Sequence, residues 1–124
     1  MMNKIPTYYP GSSIVLMFRV RNRRSRAAVP LGDYDAEATI YTKLLGEKLY
    51  ASSGGDPDKI RLERVNDYVV SATIAPEESA RLPIGEVSVR LRLAHRTEGS
   101  VLIVTKTIFM LEETVKNGAD GETN

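Results

Sequence analysis

The chain has 124 residues, 42% of them hydrophobic and 27% charged, a balance that describes one folded domain rather than a disordered segment. Its formal charge is +1, so no global field draws it onto nucleic acid. There is no cysteine, hence no disulfide, no thiolate metal site and no cysteine nucleophile, and a single histidine, His95, excludes a histidine metal pair.

The opening "MMNKIPTYYPGSS" has no apolar stretch of the kind a signal peptide needs. Residues 1–12 read as a lead-in. Its Tyr8–Tyr9 pair, set between Pro6 and Pro10, packs onto the body of the domain or anchors an interface. From Ile14 the chain alternates: Ile14, Leu16, Phe18 and Val20 share one face and Val15, Met17, Arg19 and Arg21 the other, which predicts a strand. A loop follows that completes five arginines in eight residues, Arg19, Arg21, Arg23, Arg24 and Arg26.

"EATIYTKLL" (37–45) alternates as well and holds a run of β-formers, so it is a second strand. "EKLYAS" and "KIRLERV" are shorter strands separated by the turn-rich "SGGDPD". Asn66–Asp67 predicts a tight turn into "YVVSATIA". Pro76 followed by Glu77 and Glu78 predicts one helical turn, which Pro83 stops. In "GEVSVRLRLAH", Val87, Val89, Leu91 and Leu93 oppose Glu86, Ser88, Arg90 and Arg92. "RTEGS" is a hairpin loop, and "VLIVTKTIFML" is a last strand, apolar on both faces near its start, that needs cover on both sides.

No apolar run approaches the roughly 20 residues that span a bilayer, so no membrane is expected. About seven short strands with at most one short helical turn predict an all-β fold, an immunoglobulin-like antiparallel β-sandwich. The domain is expected over 1–113, with its lead-in at 1–12 and a flexible polar tail at 114–124.

Reactive groupings are scarce. No nucleophile–base pair can be nominated around His95, which reads as a loop-edge residue facing water, so the chain is expected not to be an enzyme and to use no cofactor or metal. Asp33 and Asp35, and Asp56 and Asp58, do not match a calcium loop and read as turn residues. Glu77 and Glu78 fit the start of a helical turn. If the first strand neighbours the sixth, Arg19 and Arg21 join Arg90 and Arg92 in one basic patch, with Arg23 and Arg24 beside it. That patch is a solvated face with local ion pairs, a protein contact or, last in order, a nucleic-acid grip; it lacks the interleaved aromatics that stack bases.

In order, "YYPGSSIVLMFRVRN", the "AVPLG" entry at Pro30-Leu31-Gly32, and "RLPIGEVSVRLRL" with its Leu82-Pro83-Ile84-Gly85 step form a layout. It resembles the immunoglobulin-like domains of bacteriophage baseplate and tail structural proteins, including the N-terminal domain of baseplate upper proteins. The resemblance covers Tyr8 to Glu113. It implies a virion structural protein assembled in the host cytoplasm, a homo-oligomer or one docked to other tail components. The interface residues then expected are Arg19, Arg21, Arg23, Arg24, Arg90, Arg92, Tyr8, Tyr9, Leu102 and Val104, with Ile108 and Met110 further candidates. The competing expectation is a carbohydrate- or surface-binding module built on Tyr34, Asp33 and Asp35.

Overall fold

The computed structural model describes residues 5–42, 48–56 and 58–111. The predicted tail at 114–124, the first four residues of the lead-in and Lys43–Leu45 of the second predicted strand lie outside them. Among the described residues, eight strands and one helical turn follow in order: β1 (Thr7–Tyr8), β2 (Ile14–Phe18), β3 (Tyr34–Thr42), β4 (Lys48–Ser52), β5 (Ile60–Asn66), β6 (Val69–Ile74), α1 (Pro76–Ser79), β7 (Gly85–His95) and β8 (Val101–Met110).

They form two sheets, β1-β8-β7-β3-β4 and β2-β6-β5. Numbering the strands as in an immunoglobulin domain, β2, β5 and β6 stand as B, D and E, and β3, β4, β7 and β8 as C, C′, F and G. The chain is an immunoglobulin-like β-sandwich. Every long pairing is antiparallel; the lead-in strand β1, which the alternation did not announce, runs parallel to β8 over Thr7–Phe109 and Tyr8–Met110.

Alternation explains which residues go inside. On β2, Ile14, Leu16 and Phe18 are buried while Val15 and Met17 are exposed. On β7, Val87, Val89, Leu91 and Leu93 are all buried and join Ile40, Ala72, Ile74, Ile108 and Met110 in one core. Period-two patterning with the apolar row turned inward is what a half-buried strand requires. No disulfide or tryptophan contributes, so burial of these aliphatic and aromatic side chains holds the sheets together.

The connections are tied down by named bonds. Gly85 opens β7 at φ +116°, a conformation that favours glycine. The fully buried Ser79 hydroxyl accepts from the Gly11 N–H (3.0 Å) and donates to the Ser12 carbonyl (2.6 Å), clamping α1 onto the lead-in turn. Leu31 is buried, donates its N–H to the Asp67 carbonyl (2.7 Å) and accepts from Arg64 (3.1 Å). Pro30-Leu31-Gly32 is thereby pinned to the β5–β6 hairpin.

The arginine-rich loop is built by asparagine rather than by arginine. Val29 N–H donates to the Val20 carbonyl and Asn22 N–H to the Ala27 carbonyl, both at 2.8 Å, closing a small hairpin. At its tip the Asn22 side-chain oxygen accepts from the N–H groups of Arg24 (2.9 Å) and Ser25 (3.0 Å). Arg26 adopts φ 65° to complete the turn.

Phe18→Ala is expected to destabilise the fold by about 3–5 kcal/mol in urea unfolding, because the side chain is fully buried. Met17→Ala, one residue away on the exposed face, is expected to change it by less than about 0.5 kcal/mol; equal effects would mean that the inward and outward rows have been misplaced. In the loop, Asn22→Ala is expected to cost about 1 kcal/mol through its lost backbone bonds. Arg23→Ala with Arg24→Ala stays within about 0.5 kcal/mol, and the reverse ranking would show that the arginines hold the loop.

Candidate interaction surface

The four arginines of the supposed patch are not brought together. β2 belongs to one sheet and β7 to the other, so they are not neighbours. Arg19 follows the exposed row of Val15 and Met17, whereas Arg90 and Arg92 lie on the outward row of β7, on the opposite side of the sandwich. Arg21 is engaged in its own loop, donating to the Arg26 carbonyl at 3.1 Å. Arg23 and Arg24 are exposed at the loop tip.

The tyrosines separate as well. Tyr8 is half-buried against the core and Tyr9 is exposed. Tyr34 is half-buried on the inward row of β3 and meets His95 edge-to-face, with ring centroids 4.9 Å apart. Asp35 is held by Arg96 (2.9 Å). A tyrosine so placed is not an exposed platform for a sugar ring.

His95 differs from its expectation. Its side chain is only 13% exposed, and Nδ1 accepts from the N–H groups of Thr97 (3.3 Å) and Glu98 (3.1 Å), organising the β7–β8 hairpin. With Nδ1 accepting two amides, the ring is a structural acceptor. The sequence marks Glu78 only as an acid at a helix start. It is 3% exposed, with Lys59 (3.9 Å) and Arg81 (4.0 Å) as partners, and so charge-balances a buried end of α1. Asp56 serves its turn, accepting from the Asp58 N–H at 3.1 Å. Among the described residues no group of three metal-ligating side chains converges.

What stands out is β8. Register pairs it with β7 from Gly85–Met110 to Ala94–Val101. His95 N–H donates to the Ser100 carbonyl (2.8 Å) and Phe109 N–H to the Pro6 carbonyl (2.9 Å). Those two bonds set the parity: even residues of β8 bond to β7 and odd residues direct their backbone groups away from it. The lead-in takes up Phe109, through Pro6, and Leu111, whose N–H donates to the Tyr8 carbonyl (2.9 Å). The N–H and C=O groups of Val101, Ile103 and Thr105 have no partner among the described residues.

Side chains follow the same parity. Ile108 and Met110, two of the expected contact residues, are fully buried core. Leu102 and Val104 face inward and are half-buried against that core. The exposed apolar residues of β8 are instead Ile103 at 60% and Val101 at 42%, neither of them among the expected contact residues. They share the outer face with Arg92, the register neighbour of Ile103, and with Arg90, whose guanidinium lies 4.7 Å from the Tyr41 ring centroid. Lys106 faces inward, its ammonium 5.7 Å from the Phe18 ring centroid, over the side of the sandwich between β8 and β2.

No family model and no curated protein matches the chain. Among solved structures, it is similar to a crystal structure of the ZIG-8–RIG-5 IG1–IG1 heterodimer, at 9% identity over 90% of this chain and 82% of that one, with a TM-score of 0.42. The immunoglobulin-like assignment rests on the strand order described above, and the pairing of domains in that heterodimer belongs to those proteins.

Proposed function

We propose that this chain is a non-enzymatic structural domain that works by self-association through strand β8. The observation that carries the reading is that β8 combines an exposed apolar row, Val101 and Ile103, with backbone groups that have no partner among the described residues, over residues rich in β-formers and free of proline and glycine. Soluble proteins blunt such edges with charge, proline or cover. Here the only charge on β8 is Lys106, and it is laid over Phe18. A second copy is the occupant that brings the same apolar row and the same unpaired groups, as symmetric interfaces do.

The finer reading, a component of a phage tail or baseplate docked to other tail proteins, is supported only by the resemblance around Pro30-Leu31-Gly32 and Leu82-Pro83-Ile84-Gly85. Leu31 and Leu82 are buried and Gly85 carries a positive φ, so the fold itself accounts for these residues without a virion. Co-purification with tail proteins is the observation that would add the virion to the reading.

Light scattering of the purified protein is expected to give twice the chain mass or more, falling to the single-chain mass on dilution. Ile103→Glu is expected to leave the circular dichroism spectrum and unfolding midpoint in place and to yield the single-chain mass at every concentration. A wild-type chain that stays single up to its solubility limit overturns self-association.

A further inference from the structure

Resting on the self-association reading, we infer that the arginine hairpin between β2 and β3 is a receptor for the acidic segment 112–122 of a second copy, so that copies joined through β8 link further, head to tail.

The total charge of the chain hides a separation. The formal +1 is made of +5 in residues 19–26 and −4 in all the others, of which −3 falls in residues 112–124, with Glu112, Glu113, Asp120 and Glu122 against Lys116. Arg19, Arg21, Arg23, Arg24 and Arg26 are all exposed, and among the described residues none of them forms an ion pair. Arg21 bonds within the loop, to the Arg26 carbonyl. The other four guanidinium groups have no bond of that kind among the described residues.

The loop does not need them. Its stem is the Val29–Val20 backbone bond, with both valines packed against the core, and its tip is the Asn22 side-chain oxygen bonded to the N–H groups of Arg24 and Ser25. At φ 65°, Arg26 holds a conformation that glycine or asparagine adopts at lower cost, so an arginine there works against the fold. Guanidinium groups held out on a tied stem, unpaired and not needed for folding, suit carboxylates, which they can grip with two parallel hydrogen bonds.

Charge and reach select the occupant. The hairpin's exit at Leu31 is bonded to Asp67, and Asp33 to Arg96, so the exposed acids Asp33, Asp67 and Glu98 stand at the same end of the sandwich. A nucleic-acid duplex would press phosphates onto those carboxylates. A single extended segment can touch the hairpin alone, and residues 112–124 supply one. Leu111 is fixed at the opposite end, next to the Gly85–Met110 pair, and the ten residues of β8 put about 30 Å between the two ends. Glu112 and Glu113 follow it directly and extend at most about 7 Å, so they cannot meet the hairpin of their own chain. They can meet that of a second copy.

Such a contact is heterologous: each copy offers its hairpin to one neighbour and its segment to another. Exposed ion pairs are individually weak and screened by salt, so one contact does not hold two lone chains. A β8-joined pair presents two hairpins and two segments and gains by multivalency.

Light scattering at low salt is expected to give masses above twice the chain, returning to twice the chain as salt is added. Arg23→Ala with Arg24→Ala, and separately Glu112→Gln with Glu113→Gln, are each expected to stay at twice the chain at low salt, and a mixture of the two variants to regain part of the larger mass. Arg26→Gly is expected to reduce the larger mass while the unfolding midpoint holds or rises. A labelled peptide of residues 111–124 reads the contact on the Ile103→Glu chain, without β8 association. It is expected to bind, to weaken roughly tenfold as salt rises from about 50 to 300 mM, and to be lost with the two arginine-to-alanine changes. Masses indifferent to both pairs of changes, or a peptide that does not bind, overturn the hairpin contact and leave β8 association standing. Association that survives Ile103→Glu and is lost with the arginines does the reverse. A mixed-sequence duplex that binds more tightly than the peptide overturns the contact in favour of nucleic acid, and a wild-type chain that stays single at low salt overturns both readings.

Discussion

The row Val87, Val89, Leu91 and Leu93, fully buried along β7, is what the remainder of the molecule depends on, because β7 is the strand bonded over its length on both sides in the larger sheet. Immunoglobulin-like sandwiches that carry an inter-sheet disulfide against a tryptophan have a covalent tie at this place. This chain has neither residue type. Its cohesion must come from the area removed from water and the fit between the β7 row and the β2 and β6 rows facing it, which includes Phe18, Ala72 and Ile74. Positions that a tie would have excused from close packing are therefore filled by branched aliphatics.

That constraint has a consequence at the rim. A three-stranded sheet cannot cover a five-stranded one, so the inward row of an outlying strand is covered less completely than that of β7. Leu102 and Val104 show it: they face the same way as Ile108 and Met110 yet are half-buried where those two are fully buried. Lys106, in the same row, lays its stem and ammonium over Phe18 and shields the core there. The lead-in covers the far end of β8 through Pro6 and Tyr8. On the hairpin side of Lys106, the backbone edge at Val101, Ile103 and Thr105 has no partner among the described residues, and the self-association reading is founded on that stretch.

Much of the fold was legible because strand alternation is a local property. Ile14, Leu16 and Phe18 inside with Val15 and Met17 outside, the turn at Asn66–Asp67 and the short helix at Pro76 can each be read from a few adjacent letters. Which strands become neighbours is not local. The supposed arginine patch needed β2 beside β7, and the topology places them in different sheets. The role of His95 depended on a three-residue return of the chain onto its ring, and the burial of Glu78 on Lys59 arriving from another connection. β1 is not legible in the sequence because two residues carry no period.

The candidate surface was half legible, for a reason that lies in parity. From sequence, Leu102, Val104, Ile108 and Met110 are alike apolar on a strand too apolar for one buried face; burial of Ile108 and Met110 is what marks their row as inward. Counting back by twos from Met110 places Ile103 and Val101 outward. In an antiparallel ladder the parity that turns a side chain to one face also decides which way the backbone N–H and C=O point. For β8, the outward side chains and the backbone groups without a partner among the described residues therefore belong to the same residues, Val101, Ile103 and Thr105. Exposure of Ile103 and the turning of its amide away from β7 are one structural fact seen twice, and a partner that relieves the first along the sheet edge must also meet the second. A partner stacked on the outer face would relieve only the first, which is why the backbone, rather than the apolar side chain, discriminates between the two ways this sandwich can associate.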